Sequence, residues 1–341
     1  MPPIGPAGPE LLRRHVAALA RGPRSRRHAP RAMEEAEEYV TGVLRAAGWQ
    51  VAREPFDARL RLGSTDRHGQ RAMPLKVRLH RGLSGANLRA ELPGSRPTGP
   101  GGARPPTLVV GAHLDTVQGS PGADDNASGV AVVLEVARLL GGLAAPPPVT
   151  LMVFDMEELG LIGAREAVRR LLGEAGRTLG GMICLESVGF FSDEPGSQRL
   201  PAGAGAVMPE AVGAVRRSGH RGDFTLIVHR NSSRTLAAGW ARAAAAASPA
   251  LPTVLLRDPR PDGPLGAALG LAVPALGNLD RSDHSPFWNH RVPAVMLTGT
   301  ANFRNAEYHR PGDLPDTLDY ARLAAVATAT AVTAASWPEA R

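Results

Sequence analysis

From residue 107 onward the chain alternates two kinds of hydrophobic pattern. Short runs with few polar interruptions are "TLVVGAHLD" from Thr107, "VTLMVFD" from Val149, "GGMICLES" from Gly180 and "VPAVMLTG" from Val292. They have the length of strands buried on both faces. Between and after them stand longer stretches whose apolar residues recur at every third or fourth position: "NASGVAVVLEVARLL", "LIGAREAVRRLL", "SSRTLAAGWARAAAAAS" and "TLDYARLAAVATATAVTAA". These predict helices, the first stopped by "APPP" and the third by Pro249, with Ala243 to Ala247 as helix interior. Strand and helix taking turns indicate an α/β fold with a largely parallel central sheet and helices on both faces.

Before residue 107 the pattern is less regular. "AEEYVTGVLRAAGW" has helical spacing, and "VAREPF" follows as a first strand. From there to about Leu83 the sequence reads as an irregular basic stretch. "ANLRAELPG" is the next strand, and the loop "PGSRPTGPGGARPP" separates it from "TLVVGAHLD". No internal repeat or second domain is visible. The expected organisation is one domain over 1–341, with residues 1–60 as a helical opening and first strand and 84–341 as the core.

Composition supports this picture and removes some function classes. At 341 residues with 43% hydrophobic content the chain can bury a sizeable core. A net charge of +7 would normally suggest nucleic acid or an anionic membrane as partner. Of the 39 basic residues, however, only Lys76 is a lysine, and the one close arginine cluster, "RGPRSRRHAPR", has no interleaved aromatics. That cluster reads as solvated surface, and neither nucleic acid nor membrane is expected. The single cysteine, Cys184, excludes an intramolecular disulfide and a multi-thiolate metal site, and in its apolar setting reads as a small hydrophobe. The start lacks an apolar stretch of signal-peptide length, and no run is long enough to span a bilayer, so a soluble, cytoplasmic protein is expected.

In a sheet of this kind ligand-binding groups gather at the carboxyl ends of strands. Acids and histidines fall there repeatedly: His113 and Asp115, Glu157 and Glu158, then Glu186. Singly, each has a plain structural explanation: a core histidine for His113, a turn for Asp115, an N-cap pair in Asp124 and Asp125, an ion-pair partner in Glu186. Together they are costly to collect in one crevice without a cation. Imidazole and carboxylate donors with no thiolate suit zinc, manganese or cobalt in an open catalytic site. Five such residues, His113, Asp125, Glu158, Glu186 and His309, divide between two metals if one carboxylate bridges them. Two divalent cations are then balanced by three carboxylates and a hydroxide. Glu157 is left over as a carboxylate free to act as a base.

The order "AHLDTV", "PGADDNASG", "MEELGLIG", "LESVGF", "SDHSPFW", "YHRPGD" resembles the co-catalytic zinc aminopeptidases of metallopeptidase family 28, which include bacterial leucyl aminopeptidases and, more distantly, glutaminyl cyclases. It extends from about Ala86 to Tyr320. The resemblance implies a single α/β peptidase domain with a mixed, mainly parallel sheet, two zinc ions (manganese or cobalt being possible), and a peptide substrate with a free amino terminus. It makes His113 a ligand of the first metal, with Asp115 orienting its imidazole. It selects Asp125 over Asp124 as the bridge, Glu157 as the general acid/base, and Glu158 as a ligand of the second metal. Glu186 stands where the leucyl aminopeptidases carry an aspartate. His309 matches the last histidine ligand, with Asp313 as its expected support. Tyr308 matches a tyrosine that donates to the developing oxyanion in some members; an ordinary half-buried tyrosine is an equal reading. For Asp283 and His284, capping and packing serve as well as catalysis.

The activity so implied is that of a metal-dependent exopeptidase, an aminopeptidase, in which Glu157 takes the proton of a metal-activated water and returns it to the leaving amine. A glutaminyl-cyclase-like acyltransferase, a carboxypeptidase and a dipeptidase on the same scaffold are the alternatives. A binding module that had lost its chemistry would lack ligands or base, and none is missing.

Overall fold

A computed structural model describes residues 4–64, 78–95, 104–272 and 274–338. Two helices open the chain, α1 (Pro9–Leu19) and α2 (Pro30–Ala46), each with a proline in its first turn, where the missing N–H has no helical partner to lose. They are followed by a long antiparallel hairpin of β1 (Gln50–Gly63) and β2 (Arg78–Glu91). The hairpin corrects the expected irregular stretch. Residues 56–63 and 78–83 are strand, although Leu60, Leu62 and Leu79 point outward at 68%, 66% and 50% exposure. Phe56, Ala58, Leu60 and Leu62 alternate with Asp57, Arg59 and Arg61, a period-two strand signal that the reading as an irregular stretch passed over. The rest of that stretch, residues 65–77, lies outside the described residues.

Thereafter strand and helix alternate: β3 (Thr107–His113), α3 (Gly129–Gly141), β4 (Val149–Phe154), α4 (Ile162–Gly173), β5 (Leu179–Glu186), α5 (Ala204–Val207), α6 (Pro209–Arg217), β6 (Thr225–His229), α7 (Arg234–Ala245), β7 (Thr253–Arg257), α8 (Pro264–Ala272), α9 (Pro274–Gly277), α10 (His284–Asn289), β8 (Ala294–Thr298) and α11 (Tyr320–Ala335). The alanine run was expected inside a helix. It closes one instead: α7 ends at Ala245, Ala246 is its C-cap, and the chain turns through Pro249 into β7.

All eight strands join one sheet in the order β1-β2-β4-β3-β5-β8-β6-β7. The pairs β3/β4, β3/β5, β5/β8 and β6/β7 are parallel, while β1/β2, β2/β4 and β6/β8 are antiparallel. The domain is therefore a mixed α/β sheet with its parallel strands at the centre. Alternate residues of those strands feed two separate cores. Val110, Leu151, Ile183 and Leu297 face α1, α3, α7 and α11, whereas Val109, Phe154, Met182 and Met296 face α4, α6 and α10. Burial on both faces is why these strands read as continuous apolar runs. Among the described residues no helix is long and apolar enough to cross a membrane.

Trp240 of α7 shows how tightly the first core is built. It is fully buried, and its indole Nε1 donates to Thr330 Oγ1 of α11 at 3.0 Å. Trp240→Ala removes that donor and leaves a cavity, so a loss of about 3–5 kcal/mol is expected. A denaturant midpoint that moves by less than a tenth of its value would count against this packing.

The arginine cluster near the start also departs from expectation. Arg24 is fully buried: its guanidinium donates to the main-chain oxygens of Leu19, Leu114, Pro121 and Gly122 at 2.7–3.1 Å. Two strands of contact reinforce this wedge, as Arg24 N donates to Thr116 Oγ1 at 2.9 Å and Thr116 N to Arg24 O at 2.8 Å. Arg26 pairs with Asp155 at 2.7 Å and also with Glu37. Only part of the cluster is solvated surface, because the opening segment is pinned onto the loops that follow β3 and β4.

Candidate metal centre

The loops after β3, β4, β5 and β8 lie at the carboxyl ends of strands that are neighbours in the sheet. Side chains that are far apart in sequence therefore converge on one crevice. His113 is the last residue of β3, and Glu186 the last of β5. Asp124 and Asp125 sit in the tight turn Ala123–Ser128 that leads into α3. Glu157 and Glu158 follow β4, and His309 lies between β8 and α11. The turn at Asp125 depends on Gly122, which has φ +63: a Cβ there would stand 2.3 Å from Asp125 O and 2.4 Å from Thr116 Cγ2. Met156, Ser187 and His309, each beside or within the cluster, hold φ of 58°, 50° and 61°. Such positive values cost energy in a non-glycine residue and gather where a site fixes the backbone.

Two groups of donors result, and they share one residue. His113, Asp125 and Glu186 bring ligand atoms within 4.8 Å of one another, and so do Asp125, Glu158 and His309. Asp125 turns Oδ1 to His113 Nε2 at 3.2 Å and Oδ2 to His309 Nε2 at 2.8 Å. Glu186 Oε2 is 3.4 Å from His113 Nε2, and Glu158 Oε1 is 3.3 Å from His309 Nε2. Asp125 Oδ2 and Glu158 Oε1 are buried and, among the described residues, face no donor other than the His309 imidazole. A buried carboxylate oxygen left in that state is expensive unless a cation meets it. Each group offers one imidazole and two carboxylates, a donor set that suits zinc, so the residues present fit a pair of ions.

The supporting contacts differ in detail from expectation. Asp115 meets His113 Nδ1 chiefly through its main-chain oxygen at 3.0 Å, its carboxylate being 3.6 Å away. That carboxylate instead accepts the amides of Glu157 and Glu158, both at 3.1 Å, and so fixes the turn that carries the adjacent acids. Asp313, expected to steady His309, has Oδ1 and Oδ2 on the amides of Asp124 and Asp125 at 2.8 and 3.1 Å. Asp124 turns away from the donors and accepts the amides of Gly189 and Phe190. Glu186 is held at both oxygens, by Ser187 Oγ at 2.9 Å and by Ser282 Oγ at 2.7 Å. Ser282 was passed over in the sequence, where its neighbours Asp283 and His284 drew the attention; nothing in its spacing marks it. His284 proves to be a packing residue, its Nε2 2.8 Å from Leu279 O and its ring edge-on to Trp288 at 4.4 Å. Asp283 is buried, with neither carboxyl oxygen hydrogen-bonded to another described residue.

Burial, together with the Glu158, Glu186 and Asp283 carboxylates and against the pull of His113, pushes the Glu157 carboxyl well above the usual range. Burial works against a charged His309, yet Glu158 and Asp125 raise its imidazole to about 10. Burial also opposes ionisation of Asp125, but His113 and His309 hold its carboxyl far below the usual range. Asp125, shared by the two donor groups, is therefore held anionic. Tyr308, half-buried, stacks on His309 with ring centres 3.8 Å apart. It also lines, with Glu186, the entrance of an apolar cleft of about 870 Å³ that runs in beside α6.

The chain is also similar to known proteins. The chain is 34% identical to an uncharacterised protein, YfbL, of Escherichia coli over 238 residues, 66% of this chain and 65% of that one. It is 43% identical to the aminopeptidase YwaD of Bacillus subtilis over 67 residues, 20% of this chain and 15% of the relative. The chain thus spans less than two thirds of the length of these curated relatives. In fold it is similar to BSAP, a zinc aminopeptidase from Bacillus subtilis, with a TM-score of 0.64 at 16% identity over 98% of this chain and 97% of that one. Residues 87–235, which carry His113, Asp125, Glu158 and Glu186, match the model of peptidase family M28.

Proposed function

We propose that the chain is a two-zinc aminopeptidase, a single peptidase domain in which Glu157 is the general base. The observation that carries this reading is Asp125, whose two oxygens face His113 and His309 and so join two donor groups, with Glu157 beside them in neither group. His113, Asp125 and Glu186 would hold one ion, and Asp125, Glu158 and His309 the other. Zinc held there supplies a water acidified toward neutrality and a pole that polarises the substrate carbonyl.

The remaining work falls to the chain's own groups. Glu157, its turn fixed by Asp115, takes a proton from the attacking water as the new C–O bond forms. It returns that proton to the amide nitrogen as the C–N bond breaks, so that the products are a carboxylate and a free amine. The Tyr308 hydroxyl donates to the carbonyl oxygen as charge develops on it. The buried acids around Glu157 and Glu186 receive the substrate's α-ammonium, which is why the reading is an aminopeptidase.

The test is metal content together with turnover. Elemental analysis after mild dialysis is expected to find two divalent ions per chain, and leucine p-nitroanilide to be hydrolysed while its N-acetyl derivative is not. One tightly bound ion, with the second place still vacant at millimolar zinc, would favour the acyltransferase chemistry of a glutaminyl cyclase. Hydrolysis of the blocked substrate alone would remove the aminopeptidase reading.

A further inference from the structure

The metal chemistry leaves the rim of the apolar cleft without a role. Inward, the cleft is walled by Met208, Val212, Phe224, Leu256 and Met296, between α6 and the face of β6, β7 and β8. Its mouth differs. Arg199 and Arg281 both line it, and both are exposed. Each is fixed on the same residue, Arg199 Nη2 donating to the Asn302 main-chain oxygen at 2.5 Å and Arg281 Nη1 to Asn302 Oδ1 at 3.1 Å.

Among the described residues neither of these guanidinium groups pairs with a carboxylate. Deeper in the same region Arg230 and Arg260 behave otherwise, the first paired with Asp258 at 3.0 Å and the second with Asp258 at 2.8 Å and with Asp280 at 2.5 Å. Anchoring two flexible side chains on Asn302 costs rotamer entropy and returns no direct ion pair among the described residues, although the Glu186, Glu157 and Asp125 carboxylates act on Arg281 at longer range. What it produces is a preset positive fork, the shape that a carboxylate accepts through paired N–H bonds. The fork is also close to the chemistry, for Arg281 immediately precedes Ser282, whose hydroxyl holds Glu186.

We propose that Arg199 and Arg281 bind the free α-carboxylate of the substrate, making short peptides, and dipeptides first, the preferred class. The apolar first residue enters the cleft, and the leaving residue presents its carboxylate to the arginines. This rests on the aminopeptidase reading above. In a dipeptide the carboxylate lies one residue beyond the scissile bond, roughly 3.3–3.6 Å of extended chain, and Arg281 stands near enough to Glu186, Glu157 and Asp125 for their charges to act on it.

The experiment compares Leu-Gly with Leu-Gly amide, which share the apolar residue and the scissile bond and differ only in the terminal charge. For the zinc-loaded protein kcat/KM is expected to be at least about tenfold higher for the free acid, chiefly through KM, and the preference is expected to shrink as salt screens the exposed pair. In the double variant Arg199→Gln/Arg281→Gln the ratio should fall to within about twofold of unity. Calorimetry on Glu157→Gln reads the same preference as binding without turnover, and the acid should again bind about tenfold more tightly. Equal rates for acid and amide would overturn the proposal while leaving the aminopeptidase reading intact. A double variant that loses kcat alike on both compounds would also overturn it, assigning the arginines to the reaction and not to the carboxylate. Cleavage of neither compound would sink both readings together.

Discussion

Glu157→Gln is expected to lower turnover by about 10³- to 10⁴-fold while both metals and the fold persist. The substitution keeps volume and removes only the proton acceptor. General base catalysis commonly contributes 10²- to 10⁴-fold, and the upper end applies because the same carboxylate also protonates the leaving amine. Metal should stay because Glu157 is absent from both donor groups, and its main-chain amide, held by Asp115 at 3.1 Å, is untouched. Glu158→Gln is the control. It replaces an anionic oxygen 3.3 Å from His309 Nε2 with an amide, so it should weaken one ion and recover part of its rate in excess zinc. Turnover and bound metal followed across a zinc titration separate the two. If Glu157→Gln were the variant rescued by zinc, and Glu158→Gln kept both ions and stayed inactive, the roles would be reversed.

The second large effect concerns the neighbouring aspartates. Asp125→Asn takes one charge from both donor groups at once, so the affinity of both ions should fall by more than the 10- to 100-fold typical of losing a supporting contact, and activity at stoichiometric zinc should vanish with them. Asp124→Asn should retain the ions. Its carboxylate caps the amides of Gly189 and Phe190 at 2.8 and 3.1 Å, so the cost should appear in the unfolding midpoint. Competition with a coloured chelator measures the affinities. Loss of both ions in Asp124→Asn, with Asp125→Asn unaffected, would shift the bridge by one residue.

How much of this was legible beforehand depends on whether side chains or backbone carry the interaction. The parallel strands β3, β4, β5 and β8 were readable because burial on both faces forces continuous apolar runs, and the donors because they are side chains of distinctive type at the ends of those runs. The parallel pair β6 and β7, five residues each and with β7 exposed on one face, was passed over. The β1–β2 hairpin was passed over although Phe56, Ala58, Leu60 and Leu62 alternate with polar residues; Leu60 and Leu62 are exposed, so the alternation there accompanies main-chain pairing and not a buried face. Arg24 was misread for a related reason. Its four acceptors are peptide carbonyls, which every residue possesses, so no acidic partner in the sequence announces that this arginine is buried. Ser282 belongs to the same class, since a hydroxyl that holds a ligand looks like any other until the loops are brought together. Asp313, singled out as support for His309, was given the wrong partner because the main-chain amides it accepts carry no sequence signal.

The Arg24 wedge has a bearing on how the protein is made. During synthesis this arginine emerges 90 residues ahead of the Leu114 carbonyl it will face, and Arg26 emerges 129 residues ahead of Asp155. For that interval both are ordinary hydrated cations on an unfinished chain, free to meet nucleic acid or any acidic surface near the ribosome. The opening helices then have to be recaptured by loops that come much later, and the ends of those loops are the turns on which Asp125 and Glu157 depend. A bulky insertion close to Arg24 would slow that recapture, so the yield of zinc-competent protein should fall with it.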